Sequence, residues 1–388
     1  MTTNTFFSLS LLMAACSALS TQAQVPIGRD TTIAYAMPVL TKTPKGAVLL
    51  TWTEKDAKGT GSFCMAESAD NGKTFSNRRV IVSGAGISGS RLMRPKVMTK
   101  KDGSLVAVFA NRTDVNGKRS TDIQTSSSTD NGLTWSSPKS VDADATPGVR
   151  GFFDATVLPN DEIVVAYLKD VAGSTKHEER DLRLVLTKNG VFQPETIIDH
   201  VVCDCCNISL LVDDRGALTV YYRDNNDDIR DMAKMTSTDN GLTFSKPQII
   251  FTDNWKIAGC PHSGAYSTNY GTGKLITWFS GTEKDKGVRL VTQDGKRLAL
   301  ANDPSARNGY ISAQDNRGVF VWEQNKGEQS QIAYRMLNGD KVSEINWLGE
   351  SINGTNASSL ILGKQALMVY EVRQPNKRNG LKWSLVTL

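Results

Sequence analysis

The sequence is short of several features that would have named a function. It holds three histidines in 388 residues, so candidate imidazole bases are few. No Lys/Arg run and no basic stripe with interleaved aromatics occurs. Its 45 basic and 40 acidic residues leave a formal charge of +5, and nucleic-acid binding is unsupported. Beyond the first 24 residues no segment approaches 18 consecutive apolar residues, so no membrane-spanning helix is expected. No linker or low-complexity stretch divides the chain. One domain over residues 24–388 is the economical reading.

The leader MTTNTFFSLSLLMAACSALSTQAQ lacks a positively charged start. It is nevertheless apolar from Phe6 to about Leu19 and ends in Thr21-Gln22-Ala23, an acceptable small-x-small cleavage site. Residues 1–23 therefore read as a signal peptide, and the protein is expected to be exported, periplasmic or secreted. Met13-Ala14-Ala15-Cys16 keeps a second reading open, a loose lipobox that would put a lipid anchor on Cys16 and the protein on the outer membrane.

What is present is a turn that recurs. SADNGKTF (Ser68 to Phe75), STDNGLTW (Ser128 to Trp135) and STDNGLTF (Ser237 to Phe244) share the pattern S-x-D-N-G-x-T-[FW]. Asn-Gly supplies the positive φ angles of a tight hairpin, and the Asp side chain can accept from amides inside the turn. The aromatic is expected to anchor the turn against its own sheet. Asp70 and Asp130 lie 60 residues apart, and Asp130 and Asp239 109 apart, about two periods of 55. A degenerate copy is due between them, and LVLTKNGVF around Asn189 and Gly190 occupies that place.

A period of 50–60 residues with several short strands per unit indicates a propeller. First strands begin near Pro38, Arg94, Phe152, Asn207, His262, Tyr310 and Ser358. Each is followed by a turn and a second apolar strand, which gives seven blades. The seventh repeat ends after three strands, and Thr31 to Ala36 is expected to supply its missing outer strand and so close the ring.

The repeated turn closely resembles the Asp box of the sialidase (neuraminidase) superfamily and other BNR-repeat propellers. That resemblance implies an all-β propeller, for which six blades is the alternative count, with Asp70, Asp130 and Asp239 as structural residues on outer hairpins. It also implies a ligand site on the channel face and a glycan or glycoconjugate as the partner. In sialidases an Arg-Ile-Pro arginine opens the first repeat and grips the substrate carboxylate with two more arginines, while a Tyr-Glu pair supplies the nucleophile and an Asp the acid/base. Here the matching position reads Ala36-Met37-Pro38, and methionine cannot replace a bidentate guanidinium. Sialic acid cleavage by that route is therefore not expected. A carbohydrate-directed protein, as a glycoside hydrolase acting on an extracellular glycan, is the first reading, and a non-catalytic propeller that binds a glycan or a partner protein is the alternative.

Residues near the repeat starts are the site candidates. Arg94, Asp154, Arg223 and His262 are the catalytic candidates, and Arg150, Arg230 and Trp255 the substrate-binding ones. Among carboxylates, Asp204, Asp224, Glu323 and Glu371 are also available. His177 and His200 read as exposed loop residues. VVCDCCN (Val201 to Asn207) and NWKIAGCPHSG (Asn254 to Gly264) place Cys203, Cys205, Cys206 and Cys260 on one rim. With the intervening YYRDNNDDIRDM, these motifs resemble exported bacterial sialidase-like BNR proteins. Disulfides bracing the rim are the first reading of the four cysteines. A copper or zinc site, with His262 as a further ligand, is the alternative to a protein without cofactor. Cys64 is expected to be buried and unpaired.

Overall fold

The computed structural model describes residues 27–388 except 116, 145–147, 172 and 175–178. The leader, Cys16 and His177 lie outside these. Among the described residues there is no helix. Seven antiparallel sheets follow one another along the chain, and in each the strands run outward in chain order. Their inner strands are Ala34–Lys42, Lys96–Thr99, Arg150–Val157, Ser209–Val212, Tyr266–Tyr270, Arg307–Gln314 and Gly354–Leu362. Each inner strand contacts the next, and the first contacts the seventh. The chain is therefore a closed seven-bladed propeller, as the repeat count implied.

Alternation of apolar residues would give each sheet one buried face, but a blade is sandwiched between two others and must bury both. The core is accordingly divided into seven clusters, each joining two adjacent blades. Val48, Trp52 and Cys64 of the first blade, for example, pack on Leu367 and Val369 of the seventh. The second strand of every blade contributes at least one fully buried large aromatic, among them Trp52, Phe109, Tyr167, Tyr222, Trp278, Trp322 and Tyr370. A buried indole N–H needs an acceptor. Trp52 donates to Glu54 at 2.8 Å, Trp278 to Asp253 at 2.9 Å and Trp322 to Gln324 at 2.8 Å.

The three Asp-box turns are superposable in their bonding. Ser68 Oγ accepts from Gly72 N (2.8 Å) and donates to Asp70 (2.7 Å), which accepts Thr74 N (2.9 Å) and Thr74 Oγ1 (2.6 Å). Ser128–Thr134 and Ser237–Thr243 repeat this pattern. Asn71, Asn131 and Asn240 take φ of 58–59°. These hydrogen bonds hold each Asp carboxyl down at about 2, led by the Thr hydroxyl. The expected anchor is corrected in one respect, because the turn packs on the preceding blade as well as its own. The ring of Phe75 meets Trp383 of the seventh blade edge-on at 5.2 Å, and a Cβ on Gly72 would stand 2.3 Å from Leu367. The degenerate copy is a tight turn at Asn189-Gly190, both with positive φ.

Ring closure also differs from the expectation. The seventh blade keeps three strands, and Ala34 to Ala36 pair with Thr53 to Lys55 as the start of the first blade's inner strand. That ladder places them in the innermost strand of the first blade, beside the seventh blade's inner strand and not paired to its outer edge. The residues just upstream lie along the open edge instead. Gly28 O accepts Leu381 N at 3.2 Å, and Arg378 Nη1 reaches Thr32 O at 2.6 Å.

Candidate functional site

Four inner strands open with a non-glycine residue at positive φ: Met37 (54°), Phe152 (57°), Asn308 (53°) and Asn356 (52°). Each coincides with a register shift in the ladder to the second strand. Such bulges bend a strand end and are costly for Met and Phe. Here they form one rim of the channel. At Met37, which replaces the sialidase arginine, the backbone N donates to Glu371 at 2.9 Å. Asn356 and Asn379 also donate to that carboxylate, at 2.9 and 2.6 Å. Glu371 is thus a buried strut between blades. Glu323 serves likewise, accepting Asn356 N and Thr355 Oγ1, each at 2.7 Å.

Inside this rim lie two adjoining hollows of about 100 and 20 Å³ that share Arg91, Leu92, Arg94, Asn207 and Tyr266. Larger hollows of about 420–550 Å³ lie at the outer blade edges, among Asp-box and fourth-strand residues, away from the convergent polar groups. Pro95 disfavours a helical Arg94 and sets it just ahead of the inner strand. The Arg94 guanidinium stands 5.3 Å from the Tyr266 ring and 5.7 Å from the Tyr310 ring, whose centroids are 4.9 Å apart. Its Nε and Nη1 are buried and find no acceptor in the protein. Burial raises the Tyr266 hydroxyl and pushes the Tyr310 hydroxyl up to about 12, so both stand protonated at neutral pH. Asp154 lines the larger hollow but is engaged, accepting from Lys96 Nζ and from Leu210 N at 2.8 Å. His262, exposed and at φ 49°, borders the smaller one and is turned to Cys260 O at 2.9 Å.

Of the catalytic candidates, then, Arg94, Asp154 and His262 converge on one mouth. Arg223 does not. It is 1% exposed, and its guanidinium donates to Ser263 O (2.7 Å), Phe279 O (2.7 Å) and Arg230 O (2.6 Å), tying the fourth and fifth blades together. Trp255 stacks over Arg223 at 5.1 Å and meets Phe279 edge-on, capping that interface. Arg230 is likewise 1% exposed, with one ion pair to Asp228 at 3.3 Å. Arg150 is buried in an ion-pair network with Asp142 (2.8 Å) and Asp144 (3.2 Å). Asp224 accepts Asn225 N and Asn226 Nδ2, each at 2.8 Å. His200 is exposed, as expected, but on the strand Thr196–Val202 rather than in a loop, 3.2 Å from Asp181. Arg91, Lys96, Tyr266 and Tyr310 were missed by the sequence reading. Lys96, Tyr266 and Tyr310 sit in the first strands, where alignment of the repeats on those strands would have found them.

The cysteine loop lies beside this mouth. Cys203, Cys205 and Cys206 are buried, and their sulfurs all lie within 4.8 Å of one another. Cys205, Cys260 and His262 form a second such group. All of these cysteines, and the buried Cys64, are free thiols, so the bracing disulfides expected from the sequence are not formed in this structure. The loop is fixed instead by Asn207, which donates to Ala265 O (2.8 Å) and accepts Gly264 N (2.9 Å). A Cβ on Gly264 would stand 1.9 Å from Asn207 O, so only glycine permits this approach. Burial resists ionisation of Cys206, but hydrogen bonds from Cys203 and Cys205 and the nearby Arg223 charge hold its thiol well below the ordinary range. Cys205, bonded by Cys203 and Cys206, is pushed up.

A sequence model of the BNR repeat-like domain matches residues 90–326, more than half of the chain. The chain belongs to this family. No curated protein matches it. Among solved structures, this BNR repeat-like protein is similar to a protein of unknown function from Dyadobacter fermentans, with TM-score 0.56 and 14% identity over 94% of this chain and 97% of that one. It is also similar to the α-L-arabinofuranosidase of Fusarium graminearum (TM-score 0.51, 12%, covering 92% and 94%) and to the intramolecular trans-sialidase of Ruminococcus gnavus (0.50, 12%, 91% and 94%). At these identities the likeness carries the propeller fold of the BNR repeat-like family and nothing about the reaction.

Proposed function

We propose that this protein is an exported, carbohydrate-directed propeller that seats the carboxylate or sulfate of an acidic sugar at the channel mouth, against Arg94 and beside the packed Tyr266–Tyr310 pair. The observation that carries the reading is Arg94 itself, which has two buried N–H groups without an acceptor. A buried donor left unpaired is unfavourable by about 1–3 kcal/mol, which an anionic ligand would offset. Arg91 and Lys96 add positive charge to the same lining. Two tyrosine faces suit a sugar ring. A hollow of about 100 Å³ admits an acidic group and part of a ring, so the rest of a glycan would lie on the open face.

Hydrolysis at this mouth would use Asp154 as the acid/base on the glycosidic oxygen. A second reading, a non-catalytic glycan binder, is favoured by Asp154 already accepting from Lys96 and Leu210 N. A panel of sialylated, uronic and neutral oligosaccharides, scored for both retention and release of free sugar, tests these readings. Retention of acidic members alone, lost in Arg94→Ala, supports the site, and release that fails in Asp154→Asn adds catalysis. Equal retention of neutral members by wild type and variant would overturn it.

A further inference from the structure

The cysteine loop is not used by the glycan reading, and its geometry points to a ligand of a different kind. Three buried sulfurs lie within 4.8 Å of one another, and Cys203 and Cys206 are 3.7 Å apart. Three thiolates around one metal at bond lengths of about 2.3 Å place their sulfurs about 4 Å apart. The backbone that brings them together is held independently of them. Cys203 N donates to Arg223 O at 3.1 Å, and Asn207 fastens the end of the loop to the fifth blade.

Charge is arranged to match. Arg223 makes no carboxylate ion pair among the described residues, and its donors all go to carbonyls. Arg230 has buried Nε and Nη1 without an acceptor and lies against Cys203. Arg230 keeps its ion pair to Asp228, but the buried Arg223 charge has no carboxylate partner among the described residues. Beside three thiols it makes a place for a cluster of net negative charge, which three thiolates with one monovalent cation provide.

We propose that Cys203, Cys205 and Cys206 form a three-thiolate site for Cu(I), with Cys260 and His262 as the outer pair through which the ion is handed in. Thiolates select soft ions, Cu(I) and Zn(II) among them. Structural zinc demands a fourth, tetrahedral donor. Cys260 and His262 converge only on Cys205, and that set leaves the inner three as a separate trigonal group. Cys260 is partly exposed and His262 exposed, which gives the buried sulfurs a route to solvent.

The test is a titration of the full-length, fully reduced chain with Cu(I) under nitrogen, against a competing Cu(I) chelator, following thiolate-to-copper absorption and copper per chain. One tightly held Cu(I) is expected, with affinity weakened at least a hundredfold in Cys206→Ser and in Cys203→Ser. Cys64→Ser and Arg94→Met should keep it, which separates this site from the glycan reading. Should the buried variants fail to fold, His262→Ala and Cys260→Ser report instead, keeping the stoichiometry but loading more slowly. Zn(II) displacing Cu(I), or copper binding indifferent to Cys203, Cys206, Cys260 and His262, would overturn the assignment.

Discussion

The outer hairpins and the channel mouth of this propeller are built on opposite principles. In the Asp-box turns one bonding pattern is repeated three times, and Ser, Asp and Thr side chains partner one another within eight residues. At the mouth nothing is repeated. Arg94 is left with buried donors unpaired, Met37 and Phe152 take left-handed backbone angles, and free thiols gather beside it. Local satisfaction marks the part that holds the fold, and local disagreement marks the part available for function.

That contrast is open to direct attack. Arg223→Ala is expected to be the most damaging change, because Ser263 O, Phe279 O and Arg230 O each lose a buried donor. A loss of at least about 3 kcal/mol on urea unfolding follows from about 1–3 kcal/mol for each of the three orphaned carbonyls. Arg223→Lys should rescue little, since one ammonium cannot span the same carbonyls. Gly264→Ala comes next, at about 1–3 kcal/mol, because its Cβ would overlap Asn207 O and force the two loops apart. Stability at Gly264→Ala unchanged in a thermal melt would mean that the mouth is looser than described.

Acid acts on the outer hairpins more gently. Asp70, Asp130 and Asp239 have folded-state values near 2, below the ordinary 3.8. A depressed carboxyl adds stability above its unfolded value and loses it as pH falls toward its folded one. The Asp-box contribution should therefore fade between about pH 4 and pH 2, and Asp130→Ala should flatten that part of the melting-temperature curve. A curve of the same slope in wild type and Asp130→Ala would contradict the role given to the turn. Smallest of all on stability is Arg94→Met, which removes unpaired buried donors and should leave the melting temperature level or slightly higher.

How far these two regions could be read beforehand follows from the same contrast. The Asp-box turn is local, with every bond closing within a few residues, so S-x-D-N-G-x-T showed both its chemistry and the period of the ring. The neighbours of Arg94 come from other blades, and Tyr266 and Tyr310 are 172 and 216 positions further along the chain. No local pattern links them. Arg150 and Arg223 looked equally available in the sequence, yet Asp142 and a set of carbonyls claim them in space. The seventh blade misled for a related reason: the alternation at Thr31 to Ala36 does not say which neighbouring ladder will take its hydrogen bonds.

The most direct measurement is a calorimetric titration of wild type and Arg94→Met with an acidic oligosaccharide and its neutral counterpart. The account predicts that only the acidic ligand binds wild type, that added salt weakens it, and that Arg94→Met abolishes it while the melting temperature holds. Undiminished binding by Arg94→Met, or binding of the neutral ligand alone, would contradict the account.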